Sequence, residues 1–152
     1  MAYTTAEGRE QVLGDLAVAI EQIAESLAAL GEAYEQLDEQ TADVLEEQLF
    51  RPVQSAYGRA RRTYTEFANR SNLRGRTFDP HSPGVQSQSV QALIERAVDA
   101  AHDADQSIAE LQDSLLPVEV GDPELRAGLS QVRETLSSVP VRARTLVRTV
   151  GR

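Results

Sequence analysis

The chain has 152 residues, of which 41% are hydrophobic and 26% are charged, a composition typical of one folded domain rather than a disordered segment. The absence of cysteine excludes disulfide bonds, thiolate metal sites and thiol nucleophiles. A net charge of −9 argues against general binding to nucleic acids or anionic membranes, because both need a basic surface.

No apolar run approaches the ~20 residues that a membrane span needs, and the first residues lack the basic start and apolar segment of a signal peptide. We therefore expect a soluble, cytoplasmic protein. All 15 basic residues are arginine, which is typical of GC-rich genomes. In this respect the chain resembles small arginine-rich helical proteins of actinobacteria.

The first segment predicts a long amphipathic helix over about residues 5–38. Thr4 and Glu7 have the spacing of a capping box at its start. Its large apolar residues recur at alternating steps of three and four, the spacing of a heptad seam: Leu13, Leu16, Ile20, Ile23, Leu27, Leu30, Tyr34 and Leu37. Alanines flank this seam, so we expect a neighbouring helix to approach closely.

A second helix is predicted over about residues 41–70, with Thr41 as its N-cap. The apolar stripe starts in one phase and slips by one residue at Phe50, and Pro52 follows directly. A proline inside a helix removes a hydrogen bond, so we expect a kink or a break there. No glycine or proline separates the first two helices, and one continuous helix to about residue 50 is the alternative.

Residues 71–86 predict one long loop, with turn signals at Asp79-Pro80 and Ser82-Pro83-Gly84. A loop of this length is either functional or a crossover between two helical hairpins. It carries Arg74 and Arg76, which the packing of helices does not explain.

Two further helices are predicted, over about residues 86–115 and 123–150, the second interrupted near Pro140. Their apolar stripes again alternate steps of three and four: Val90, Ile94, Ala97, Ala101, Ala104, Ile108, Leu111 and Leu115, then Leu125, Leu129, Val132, Leu136, Val139, Ala143, Leu146 and Val150. Four matched amphipathic helices favour an all-α fold, an antiparallel up-down-up-down four-helix bundle with heptad-like packing, forming one domain over residues 1–152.

Charge alternates along the chain. Residues 1–50 hold 12 acidic residues and one arginine, and residues 79–124 hold ten acidic residues and one arginine. Residues 51–78 hold seven arginines and one acidic residue, and residues 125–152 hold six arginines and one acidic residue. In an up-down-up-down bundle every helix would then have neighbours of opposite charge, so the pattern favours that topology.

One spacing resembles a metal site. Asp99 and His102 lie three residues apart with Glu95 one turn earlier, as in bundle enzymes that hold two metal ions. Both residues fall outside the inward stripe, so we expect a solvated histidine and no metal or other cofactor. Asp99 and His102 are kept as the alternative metal ligands.

Helix two carries aromatic and arginine side chains in alternation. Tyr57, Tyr64 and Phe67 follow the core phase and predict packing, with a small-ligand pocket as the alternative. The arginines between and beside them predict a basic face against acidic helices, with a phosphate, nucleic-acid or acidic-partner site as the alternative: Arg59, Arg61 and Arg62. We expect no nucleic-acid binding.

Tyr34 and Asp38 form a Tyr-x-x-x-Asp pattern. It resembles the export signal of the small helical substrates of type VII secretion in actinobacteria. Those proteins carry a Trp-x-Gly turn between two helices, and this chain has no tryptophan. The resemblance implies, as an alternative, a secreted helical protein.

The sequence contains no phosphate loop, Ser-His-Asp order or zinc spacing. The leading hypothesis is therefore a non-enzymatic bundle that binds a protein partner or a second copy of itself, as a scaffold or adaptor. The predicted interaction residues are Glu21, Glu25, Glu32, Arg74 and Arg76. The alternatives are a bundle that binds a small ligand or metal in its core, and the secreted protein.

Overall fold

The structure is a computed structural model that describes residues 5–82 and 88–150. Throughout these ranges every regular element is a helix and none is a strand. The α-helices, in chain order, are α1 (Thr5–Glu35), α2 (Glu39–Leu45), α3 (Arg51–Arg70), α4 (Val90–Asp113), α5 (Leu116–Glu119), α6 (Pro123–Leu136) and α7 (Val139–Val150). The predicted cap Thr4 and residues 83–87 lie outside the described residues. No helix within them is long and apolar enough to cross a membrane.

A turn separates α1 from α2, so the alternative of one continuous helix is wrong. The N-cap of α2 is Asp38 and not the predicted Thr41. The Thr41 N–H donates to the Asp38 carboxylate at 2.8 Å, and this bond, followed by one from the Thr41 hydroxyl, lowers the pKa of Asp38. Aspartate is the stronger cap because its side-chain oxygens accept from the first free N–H groups of the helix.

The chain is helical without a gap from Glu39 to Arg70, so Pro52 does not break the helix. Residues Glu46–Phe50 instead form a π-helical turn, in which the Arg51 N–H donates to the Glu46 oxygen five residues back. A π turn inserts one extra residue into a helix. That residue accounts for the slip of the apolar stripe by one position at Phe50.

Helix α1 packs on α4 in an antiparallel pair. The fully buried Ser26 donates from its hydroxyl to the Ala97 carbonyl at 2.7 Å, and Ser107 donates to Gln22 at 2.7 Å. Positions nearer the start of α1 therefore meet positions nearer the end of α4. Small side chains line this contact and let the two backbones approach closely: Ala19, Ala29, Ala33, Ala97, Ala101 and Ala104 are all buried.

Helix α1 also packs on α3, and α6 packs on both α3 and α4, so the long helices close a ring. Helices α3 and α6 are antiparallel, because Arg70 near the end of α3 meets Asp122 at the start of α6. Helix α3 runs opposite to α1, because Tyr57 lies beside residues 24–31 of α1 and Tyr64, further along α3, lies beside residues 10–21. Helices α3 and α4 therefore run in the same direction. The order is up-down-down-up, and the predicted up-down-up-down order is wrong.

Residues 71–89 make this order feasible. At up to ~3.3 Å per residue they are long enough to return along a 24-residue helix, which is ~36 Å. Helix α3 ends in a Schellman motif with Asn72 at φ 55° and the Leu73 N–H donating to the Ala68 carbonyl at 2.9 Å. This motif turns the chain back along the α1–α3 groove.

The ring order also corrects the expectation drawn from charge. The two acidic helices, α1 and α4, are neighbours, and the arginine-rich α3 lies beside α6, which carries two arginines and two glutamates. Exposed ion pairs are worth at most ~1 kcal/mol each, whereas apolar burial yields about 25 cal/mol per Å². Close packing of the α1–α4 seam therefore determines which helices pair.

Three predicted boundaries also shift. Helix α1 ends at Glu35, and Tyr34, which was predicted on the buried stripe, is 40% exposed. Helix α4 ends at Asp113, and Leu115, which was also predicted on a buried stripe, adopts φ 65° and is 58% exposed. Past α6, the chain leaves the helix at Leu136 and re-enters it at Val139, one residue before Pro140.

A glycine fixes the spacing between α3 and α6. A Cβ atom built on Gly128 would lie 2.8 Å from Thr63 Cγ2 and closer still to Thr63 Oγ1. Thr63 is buried, and its hydroxyl donates to the Arg59 carbonyl at 2.8 Å, so it has little room to move.

We predict that Gly128→Ala lowers the free energy of unfolding by about 1–3 kcal/mol, because the added methyl group forces the two helices apart. Urea denaturation measures this. Gly58→Ala on α3 is the matched control, since nothing lies within 4 Å of its built Cβ atom, and it should stabilise by up to ~1 kcal/mol. Adding Thr63→Ala to Gly128→Ala should restore part of the loss, and no restoration would contradict the clash.

Asp122 joins α6 to α3. Its carboxylate accepts from the Leu125 N–H at 2.9 Å as the N-cap and from the Arg70 guanidinium in two bonds of 2.9 Å. Burial raises the pKa of Asp122, but the bonds from Arg70 and from the Leu125 N–H outweigh burial, so the pKa is lowered. The charged form is therefore favoured in the folded state.

We predict that Asp122→Asn costs about 1–2 kcal/mol of unfolding free energy at pH 7, since it keeps an oxygen for the cap but loses the charge facing Arg70. The wild-type advantage is complete above the ordinary aspartate pKa of ~3.9 and is lost as pH falls through the lowered folded pKa. Urea denaturation from pH 7 to pH 2 measures it, with the exposed Asp103→Asn as control. A penalty that stays constant over that range would contradict the assignment.

Candidate ligand cleft and interaction surfaces

The loop over residues 71–82 is held on the α1–α3 groove by aromatic and backbone contacts. The Phe78 ring meets Tyr64 edge-on, with centroids 5.0 Å apart, and the Arg76 guanidinium lies 4.5 Å from the centre of the Phe78 ring. The Arg76 N–H donates to the Tyr64 hydroxyl at 3.2 Å. A Cβ atom built on Gly75 would lie 3.0 Å from the Tyr64 ring, so glycine permits this close approach.

Glu21 is the charged anchor of the same loop. One carboxylate oxygen accepts from Arg76 and the other contacts His81 Nε2. Two predicted interaction residues, Glu21 and Arg76, therefore bind each other rather than facing a partner. Of the remaining three, Glu25 lies 3.8 Å from Arg96 on α4, Glu32 is half-buried, and Arg74 is exposed.

The loop leaves two clefts in the α1–α3 groove. The Tyr64 cleft has a volume of about 530 Å³ and lies towards the start of α1, between Gly14, Val18, Tyr64 and Arg74. The Tyr57 cleft has a volume of about 370 Å³ and lies towards the end of α1. Its lining is mostly apolar or small: Ala24, Leu27, Ala28, Gly31, Phe50, Gln54, Tyr57, Arg61, Pro80 and His81.

Tyr57 differs from the other aromatic residues of α3. It is 7% exposed, and its hydroxyl has no hydrogen-bond partner in the described part of the chain. Burial raises the pKa of Tyr57, and the nearby Arg61 partly opposes this. The Arg61 guanidinium lies 4.4 Å from the centre of the Tyr57 ring. A buried hydroxyl without a partner costs free energy, and such groups call for an explanation.

The three predicted pocket residues do not line one site. Tyr57 lines its own cleft, Tyr64 lines the other, and Phe67 is fully buried in the core. Phe67 packs in the core, as its position on the apolar stripe predicts. The sequence singles out Tyr57 but gives no sign that its hydroxyl is unpartnered, because that depends on where the loop crosses.

The predicted metal candidates lie on the surface. Asp99 and His102 are both exposed on α4. Within residues 5–82 and 88–150, no group of three or more histidine, aspartate or glutamate side chains is placed to hold a metal ion.

The Tyr-x-x-x-Asp pattern does not lie on one helix. Tyr34 belongs to the last turn of α1, and Asp38 caps α2 beyond the intervening turn. Residues four apart share a face only where the helix is continuous. The spacing therefore does not present the two side chains as one helical motif.

A third cavity, the α4–α7 groove, was not predicted. It has a volume of about 490 Å³ and an apolar floor: Ile94, Val98, Pro140, Ala143 and Val147. Glu95 and Asp99 form its rim on α4, and Arg144 and Arg148 form its rim on α7. No ion pair of 4 Å or less joins the two rims in the described structure. The sequence could have indicated this groove through Val98 and Val147, two apolar residues that lie beside the predicted apolar stripes.

Of the predicted arginine cluster, Arg61 and Arg62 are exposed and Arg59 is half-buried. Only Arg61 lines the Tyr57 cleft, whereas Arg59 faces α6 beside Thr63 and Glu124. The three side chains therefore do not converge on one anion site.

A scan against protein-family models finds no match to this chain. Comparisons with curated proteins and with solved structures likewise find no similar protein. The site geometry therefore carries the functional argument alone.

We predict that Glu21→Gln loosens the loop and speeds limited trypsin cleavage after Arg74 and Arg76 about fivefold, because the ion pair with Arg76 is lost and the contact with His81 is weakened. Mass spectrometry of the fragments over time measures the rate. The control is Glu32→Gln, on the same helix, which should cleave at the wild-type rate. Equal rates for Glu21→Gln and wild type would show that Glu21 does not hold the loop.

Proposed function

We propose that the chain is a single-domain, non-enzymatic four-helix bundle that mediates protein–protein interaction, and that its partner is a second copy of itself. The observation that carries this proposal is the α4–α7 groove, an apolar floor between an acidic rim and a basic rim. Apolar patches bordered by charge are typical of interaction sites.

The arrangement of charge favours a second copy over an unrelated partner. In a two-fold dimer the same surface meets itself, and when the two-fold axis runs along the groove each rim faces the opposite rim of the other copy. Glu95 and Asp99 of one copy would then meet Arg144 and Arg148 of the next. Such opposed charges fix the register of an interface and select the partner more than they add affinity.

Other features of the groove support the same interface. Val98 and Val147 are partly buried apolar side chains of its floor, and contact with another copy would cover them more completely. Val141 on α7 is 58% exposed and extends the apolar surface. The rims are solvated in the isolated chain, so pairing them across a dimer breaks no ion pair within the described structure.

Paired charge reversals test the dimer. We predict that Glu95→Arg with Asp99→Arg makes both rims basic and abolishes self-association, and that Arg144→Glu with Arg148→Glu makes both acidic with the same result. An equimolar mixture of the two variants should form a mixed dimer, because their rims are then complementary. Sedimentation velocity or light scattering coupled to size exclusion measures the masses.

The matched control places the same change of charge elsewhere on α4. Asp103→Arg with Glu110→Arg reverses two exposed acidic residues outside the groove and should leave the dimer unchanged. A monomeric wild-type protein at ~100 µM would overturn the self-association proposal, as would two reversal variants that both dimerise like wild type.

A further inference from the structure

The Tyr57 cleft, between α1 and α3, is a second candidate site and is independent of the proposed dimer. The cleft volume of about 370 Å³ falls in the range of small-molecule sites, roughly 300–1,000 Å³. One wall is made of small residues of α1, including Ala28 and Gly31, and the facing wall holds the Phe50 and Tyr57 rings. A slot between small residues and aromatic rings suits a flat apolar group.

The polar groups at the edge of the slot point to the rest of the ligand. The Tyr57 hydroxyl is buried, is without a hydrogen-bond partner among the described residues, and can donate to a ligand oxygen. The Arg61 guanidinium lies over the Tyr57 ring and makes no ion pair with a described carboxylate. A donor and a cation at one edge of an apolar slot favour a carboxylate.

Two acidic side chains, Glu21 and Asp79, act electrostatically on the Tyr57 hydroxyl, and neither opposes this assignment. Asp79 is exposed, so solvent screens its charge. The Glu21 carboxylate already contacts Arg76 and His81, so its charge is matched within the loop anchor. Pro80 and His81 cover the same cleft. The loop thus forms one border of the slot and also supplies the Arg76 charge that pairs with Glu21.

We infer that the Tyr57 cleft binds a small aromatic carboxylate, with its ring between α1 and the Phe50 and Tyr57 rings and its carboxylate on Arg61 and the Tyr57 hydroxyl. This gives the chain a ligand-binding activity in addition to its self-association. It also gives the unpartnered hydroxyl a hydrogen-bond acceptor.

The probe is 4-fluorophenylacetate, followed by ¹⁹F NMR during titration with the full-length protein. The expected result is saturable binding with a Kd below about 1 mM, a modest affinity for a ligand of this size. The neutral amide, 4-fluorophenylacetamide, should bind about tenfold more weakly, because it gives Arg61 no charge to pair with.

Two glycines of α1 supply matched variants. Nothing lies within 4 Å of a Cβ atom built on Gly31 or on Gly14, and each glycine lines a cleft into which a longer side chain can extend. Gly31→Leu fills the Tyr57 cleft and should weaken binding at least about tenfold. Gly14→Leu fills the Tyr64 cleft instead and should leave the Kd within about twofold of wild type.

Two further variants separate the polar groups. Arg61→Gln should weaken binding about tenfold, whereas the exposed Arg62→Gln should not change it. Tyr57→Phe should weaken binding about fivefold without lowering the melting temperature of the free protein, because the lost hydroxyl has no partner there.

Three outcomes would overturn the inference. They are the absence of saturable binding up to about 10 mM probe, binding to Gly31→Leu as tight as to wild type, and equal affinities for the acid and the amide. Octanoate tests the ligand class. If it displaces the probe and binds about tenfold more tightly with the same dependence on Gly31, the ligand is an aliphatic acid and the aromatic assignment is wrong.

Discussion

The close contact between α1 and α4 is the constraint on which the rest of the structure depends. Alanines on both helices and the fully buried Ser26, bonded to the Ala97 carbonyl, bring the two backbones together. This contact places α4, the third predicted helix, beside α1. Helix α3, the second predicted helix, must then lie on the other side of α1. The crossover over residues 71–89 follows, because α3 and α4 then run in the same direction.

Periodicity predicted the elements well and their arrangement poorly. The alternating steps of three and four located the long helices, and the phase slip at Phe50 marked the irregularity that the structure resolves as a π turn. The up-down-up-down order, predicted from four matched helices and favoured by the charge pattern, was wrong, because solvated charges contribute too little to decide between packings. The buried alanines were the better indicator of which helices pack together. Close approach depends on two helices, however, and the pattern of one helix cannot show which other helix it contacts.

The candidate sites depend on the same crossover. Tyr57 and Arg61 were visible in the sequence as an aromatic and a basic residue of one helix, but the cleft they line exists because Pro80 and His81 pass over it. Glu21 was visible as part of an acidic face, yet its role is to hold that loop through Arg76. Contacts between residues 50 to 60 positions apart lie outside what local spacing can predict, whereas the exposure of Asp99 and His102 followed directly from their place off the apolar stripe.

The placement of charge on the helices has an electrical consequence. Acidic residues are concentrated on the neighbouring helices α1 and α4, whereas arginines are concentrated on α3 and α7. At low ionic strength, where the Debye length reaches ~30 Å, an approaching molecule responds mainly to the net charge of −9. At physiological salt, where the Debye length is ~8 Å, each charged surface acts separately, so an approaching charged molecule orients the bundle before any contact forms.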